Sequence, residues 1–342
     1  MENFEDPFQE LKNEGIPVLQ EETVFYPPSA TEGLPQVLPK FQKSGQTANI
    51  WLKSVASLAL FLVLGYYIFH SFKMLLMITA IVMFHELGHF FAMKFFRYKD
   101  LGIFFIPLLG AYVSGTKREV SQKESAIILL AGPLPGIIAG IILYILSKDN
   151  PQPGVSVYNI SFSLIILNLI NLVPVYPLDG GQLLNRVFLD EESWVSKGFV
   201  FLSAGFLCWV AWKTNFPVLF IFPAMILLRF IGEKKITSIE KRIEAEGIHA
   251  DIDYEDLPDK DYWRIRNILI EEHPAFRDVL PAPPYEYSQK EEKIMTTIQH
   301  LLHRHLIQDI SIAGKIFILV IWASAIASPW LFNMNFLHRF GL

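Results

Sequence analysis

The chain has 342 residues, of which 52% are apolar and 28 are phenylalanine, and its mean hydropathy is +0.34. Such a balance excludes an ordinary soluble protein and points to the lipid bilayer as a partner. A net charge of -5 with an isoelectric point near 6.0 gives no electrostatic basis for a nucleic-acid partner, and the single cysteine, Cys208, leaves no disulfide framework or thiolate metal cluster.

Residues 1–48 come first in chain order, an acidic arm in which Pro27-Pro28 and scattered carboxylates suit an extended segment. Nothing in it resembles a basic stretch followed by an apolar core, so no cleaved signal is expected. A membrane core at 49–232 follows. A spanning helix needs about 20 apolar residues, and runs near 50–70, 74–96, 125–147, 156–176, 194–212, 216–231 and 313–333 predict about six or seven spans. The fold class expected is an all-α polytopic membrane protein. One interruption is the stretch LGIFFIPLLGAYVSG, residues 101–115, too short to span; Pro107 and Gly110 divide it into two apolar pieces, which read either as a short membrane-associated β-hairpin or as an ordinary interfacial loop. Residues 131–140, AGPLPGIIAG, space Gly132, Gly136 and Gly140 by four, a face that lets another helix approach closely. A charged segment at 233–312 reads as a mostly helical cytoplasmic unit, and 313–342 as a last spanning helix and tail.

Lys and Arg concentrate beside alternate ends of the spans, before the first, between the second and third, and after the sixth. By the positive-inside rule the N-terminus is cytoplasmic and the protein a multi-pass one of the cell membrane.

The second span holds the chemistry. In MITAIVMFHELGHFFAMKFF, residues 77–96, two histidines and a glutamate interrupt an apolar run. Ionisable groups at membrane depth are costly and mark function. His85 and His89, four apart, project from one helix face and reach a single ion, while Glu86 stands beside the first as a candidate general base. With no thiolate available, any zinc must be held by His and carboxylate, and a catalytic zinc usually takes three protein ligands. The candidate third ligand is Asp179 in NLINLVPVYPLDGGQLLNR, residues 168–186, where Pro174 and Pro177 end the helix and Gly180-Gly181 permit sharp backbone turns.

With both motifs in hand, the sequence resembles the site-2 protease family of intramembrane zinc metalloproteases, over about residues 50–190. The family's H-E-x-x-H stands here as His85-Glu86-Leu87-Gly88-His89, and its N-x-x-P and L-D-G as Asn171-Leu172-Val173-Pro174 and Leu178-Asp179-Gly180. The resemblance implies zinc on His85, His89 and Asp179, Glu86 as general base and acid, and Asn171 holding the substrate or the developing oxyanion. It also implies a transmembrane protein as substrate, with an extended segment pairing along the hairpin edge. Asn168, one turn before Asn171, is a second polar candidate, with an interhelical hydrogen bond as its plain alternative. The rival reading is a catalytically silent zinc-binding scaffold, against which the intact Glu86 argues. His300, His303 and His305 lack the neighbours for a second metal site.

Overall fold

A computed structural model describes residues 37–42, 49–107, 109–117, 119–149, 156–189, 193–302 and 306–332. Most of the expected N-terminal arm, His303, His305 and the C-terminal tail lie outside these residues.

The fold is mostly helical, and serines start many of its helices. Ser71, Ser121, Ser156, Ser193 and Ser311 each accept, through the side chain, the amide hydrogen of the residue three positions on, satisfying a donor that the first helical turn leaves unpaired. Helices α1 (Ile50–Phe69) and α2 (Phe72–Phe95) form an antiparallel pair. Next come strands β1 (Lys99–Ile106) and β2 (Gly110–Thr116), the antiparallel hairpin that Pro107 and Gly110 foreshadow. Gly110 has a φ of 108° at its turn, which a side chain would oppose. The hairpin lies against α1: Phe61, Leu75 and Phe105 bury together, and Phe105 N donates to Ser57 Oγ at 3.1 Å.

After the two-residue strand β3 (Val120–Ser121), the expected span 125–147 proves to be two helices, α3 (Gln122–Ala131) and α4 (Pro133–Ser147), meeting at Gly132. Pro133 has no amide hydrogen and takes the first position of the new helix, where none is required. Helix α5 (Val157–Leu172) stops four residues short of the expected span 156–176, because the Val173-Pro174 step disfavours helical backbone. The chain then makes the short α6 (Asp179–Leu183), a π-helical turn (Leu184–Phe188) and α7 (Trp194–Lys213). The expected span 216–231 falls in a 3₁₀ turn (Pro217–Phe220) and the apolar half of α8 (Ile221–Ala245), whose other half is charged. Among the described residues, five helical runs are long and apolar enough to cross a membrane: α1, α2, α3 together with α4, α7, and α11 (Ile312–Leu331). Against the expected six or seven, the described residues hold five of full length, with α5 a shorter apolar helix.

A second core lies outside this bundle. The charged half of α8, α9 (Asp259–Glu272) and α10 (Glu291–Leu301) enclose Ile239, Ile243, Leu257, Trp263, Leu269 and Ile294. Beside them sits a buried ion pair: Arg266 Nε donates to Glu291 Oε1 at 2.8 Å, and Tyr262 also donates to that carboxylate. Strand β4 (Leu306–Ile307) pairs in parallel with β3 and returns the chain to the start of α3. There Asp309 accepts from Ser121 Oγ at 2.9 Å and from Lys123 N at 3.1 Å.

Candidate metal centre

Helix α2 presents His85, Glu86 and His89, all buried. His89 Nδ1 lies 2.7 Å from the Ile128 carbonyl oxygen in α3; that oxygen only accepts, so Nδ1 carries the proton. His85 Nδ1 lies 2.7 Å from Asn168 Oδ1, and Asn168 Nδ2 donates to the Leu164 carbonyl at 2.7 Å, which fixes the amide orientation and makes Asn168 the acceptor. Each imidazole therefore turns an unprotonated Nε2 inward. Outer partners of this kind set the tautomer and the aim of metal-binding histidines.

Asp179 meets those nitrogens from the other side of the bundle. Its Oδ2 stands 3.1 Å from His85 Nε2 and 3.3 Å from His89 Nε2, and the two Nε2 atoms are 3.1 Å apart. This oxygen is buried and accepts no hydrogen bond. Two lone pairs and a carboxylate oxygen facing one another repel, so the triangle calls for a cation. Its edges match the roughly 3.3 Å expected between neighbouring ligands on a tetrahedral zinc with bonds of about 2.0 Å. Among the described residues it is the single cluster of histidines, cysteines and carboxylates able to hold a metal ion. The donor set fits zinc.

Asp179 sits in the first turn of α6 and makes no capping bond there. Its approach depends on close backbone contact. Cβ atoms built on Gly180 and Gly181 would lie 2.0 Å from the Leu172 oxygen and 2.3 Å from the Val175 carbonyl carbon. Neither glycine has the positive φ that a sharp left-handed turn would use, so contact is their purpose. Flanking elements secure the loop before α6: Tyr176 N donates to Ser203 Oγ of α7 at 3.1 Å, Arg229 of α8 donates to the Tyr176 hydroxyl, and Trp322 of α11 donates to the Leu172 carbonyl at 2.8 Å.

Glu86 is three residues before His89 and shares its side of α2. Asn171, in the last turn of α5, is half-buried and its side chain makes no hydrogen bond among the described residues. The amide that touches a candidate metal-binding histidine is Asn168, for which sequence reasoning offered two readings and no role toward His85. The Ile128 carbonyl was missed altogether, since backbone oxygens carry no signature in sequence. His300 is exposed in the last turn of α10.

Comparison with known proteins follows these same residues. Positions 73–152, which include the H-E-x-x-H helix and the hairpin, match the model for Peptidase family M50. A zinc metalloprotease of Methanocaldococcus jannaschii is 30% identical over 142 residues, 40% of this chain and 40% of that protein. Stage IV sporulation protein FB of Bacillus subtilis is 29% identical over 119 residues, 35% of this chain and 41% of that protein. The chain thus spans about two fifths of the length of these curated relatives. A solved site-2 protease from Methanocaldococcus jannaschii, 21% identical, aligns over 51% of this chain and 84% of that one with a TM-score of 0.38. In its two motifs and in these sequence matches, the chain is similar to the site-2 proteases, and its residues 73–152 match Peptidase family M50.

Proposed function

We propose that this protein is an intramembrane zinc endopeptidase that hydrolyses peptide bonds within or next to transmembrane segments of membrane proteins. The observation that carries the reading is the buried triangle of His85 Nε2, His89 Nε2 and Asp179 Oδ2, with no proton to reconcile its members. A zinc ion held there supplies Lewis acidity, polarising a peptide carbonyl and making water acidic near neutral pH.

The chain's own residues do the rest. Asn168 and the Ile128 carbonyl hold the two imidazoles so that only Nε2 faces the centre. Glu86 takes a proton from the attacking water onto its carboxylate and passes it to the leaving amine. Asn171, with a free side-chain amide, donates to the substrate carbonyl as negative charge grows on its oxygen. A substrate helix must unwind at the cut, because each helical carbonyl is bonded to an amide four residues on. The protein sits in the cell membrane with its N-terminus cytoplasmic.

The test is Glu86→Gln in purified protein. Zinc content should stay near that of the wild type while cleavage of a model transmembrane peptide falls by about 10²–10⁴-fold. Loss of zinc together with activity would make Glu86 a ligand and sink its role as base.

A further inference from the structure

The short segment 37–42, VLPKFQ, belongs by position to the N-terminal arm, yet it lies on the second core, more than 200 residues away in sequence. Three aromatic side chains donate to three of its carbonyls in order: Trp263 Nε1 to Leu38 at 2.7 Å, the Tyr287 hydroxyl to Pro39, and the Tyr254 hydroxyl to Phe41 at 2.7 Å. Its one bonded amide, Lys40 N, donates to Asp259 Oδ1 at 2.7 Å. The Lys40 ammonium enters the turn before α9, donating to the Glu255 carbonyl and to the Leu257 carbonyl at 2.8 Å, and lies 5.9 Å from the centre of the Tyr254 ring. Phe41 meets Tyr287 edge-on at 5.4 Å between ring centres.

Aromatic donors spaced to meet successive carbonyls of an extended strand, at a position where proline removes the need for an amide partner, form a built linear-peptide site. Trp263 and Tyr287 are stacked at 5.8 Å, which keeps the groove wall rigid without the segment. Burial, followed by the nearby charges of Asp259 and Glu291, raises the Tyr287 hydroxyl above the ordinary phenol range, so it stays a donor. Nothing in the contacts requires the strand to be covalently joined to α1, since all of them fall on six residues.

We propose that the groove of Trp263, Tyr287, Tyr254 and Asp259 is a reader of extended peptides of the form apolar-Pro-Lys-aromatic, filled in this chain by its own residues 38–41. A partner protein displaying that pattern in an unfolded segment competes with the arm for the groove. The arm is favoured by its tether, which gives it a high effective concentration. The proposal stands independently of the metal centre.

The experiment uses the full chain in detergent and a fluorescein-labelled VLPKFQ peptide followed by anisotropy. Lys40→Ala with Phe41→Ala frees the groove, and this protein should bind the peptide at least about tenfold more tightly than wild type does. Adding Tyr254→Phe and Tyr287→Phe, which delete two hydroxyls and keep the rings, should then weaken binding by about tenfold or more. Trypsin cleavage after Lys40 should be slow in wild type and faster in a protein that carries only Tyr254→Phe and Tyr287→Phe and keeps Lys40. The proposal is overturned if the freed protein, with an unchanged melting transition, ignores the peptide. Equal peptide binding by wild type, or equal cleavage rates, would overturn it as well.

Discussion

Asn168 shows what one polar side chain does inside an apolar helix. Its amide spends Nδ2 on the Leu164 carbonyl and Oδ1 on His85, so both ends are satisfied and the imidazole cannot rotate. Replacing it with Leu keeps the volume and removes the acceptor. Zinc affinity should drop by about 10–100-fold, read by competition with a chelator, while the helix content stays unchanged. An undiminished affinity would show that His85 is aimed by packing alone. Asp179 makes the complementary point. Its identity was readable from the L-D-G pattern, but the 3.1 Å and 3.3 Å separations from two imidazoles come from folding. The sequence also singled out Asn171, and it stands half-buried with an uncommitted amide. Asn171→Ala should lower kcat by about 10²-fold with zinc content intact, a split between chemistry and metal that steady-state kinetics and metal analysis together detect.

Elements bring these groups within reach because α4 is narrow on one face. A Cβ on Gly136 would lie 2.2 Å from Asn168 Nδ2, one on Gly132 would lie 2.3 Å from His89 Nε2, and one on Gly140 would lie 2.5 Å from Ile165. The four-residue spacing in AGPLPGIIAG announced a close helix neighbour, and α5 is that neighbour; that the same face also abuts a histidine of the candidate metal centre was not readable, since it depends on how α2 crosses. Gly136→Leu should therefore displace Asn168 and reduce zinc retention at least about tenfold. Gly205→Leu in α7, where a Cβ meets nothing within 4 Å, is the matched control and should retain zinc. The element-level departures from expectation have local causes. Gly132 and Pro133 split one apolar run into α3 and α4, and Pro174 ended α5 early. Hydropathy averages over such breaks, whereas the backbone does not.

The whole molecule joins the apolar helices around the candidate site to a second core built by α8, α9 and α10. In the second core, burial alone would raise the Glu291 carboxyl, but Arg266, Tyr262 and Ser288 outweigh it and hold the group below its ordinary value. A depressed carboxyl stabilises the fold above its unfolded pKa of about 4.3 and loses that contribution as pH falls further. Melting of this unit should therefore drop as pH is lowered below about 4. Arg266→Met should cost about 3–5 kcal/mol at neutral pH, because it strands a buried carboxylate. Calorimetry across pH checks both. Sidedness follows from β3 and β4: their pairing puts the region after the hairpin on the same side as the end of the second core. In a Cys208→Ser background, cysteines at Glu119 and Leu280 should label from the cytoplasmic side and one at Asn215 from the opposite side. Any other pattern overturns the orientation.

The membrane setting, the H-E-x-x-H helix and the L-D-G segment were determined by the sequence alone, because hydropathy, helical spacing and proline or glycine breaks are local properties of the chain, whereas the pairing of β1 with β2 was decided by the structure. Tertiary structure decided which carbonyl and which amide hold the imidazoles, that Asp179 meets both of them, and that residues 37–42 lie on a core built from the far end of the chain. Those outcomes depend on contacts between segments separated by 39 to 248 residues. Contacts at such separations arise only when buried polar groups and close-packed backbones are satisfied together, and no local pattern records that solution.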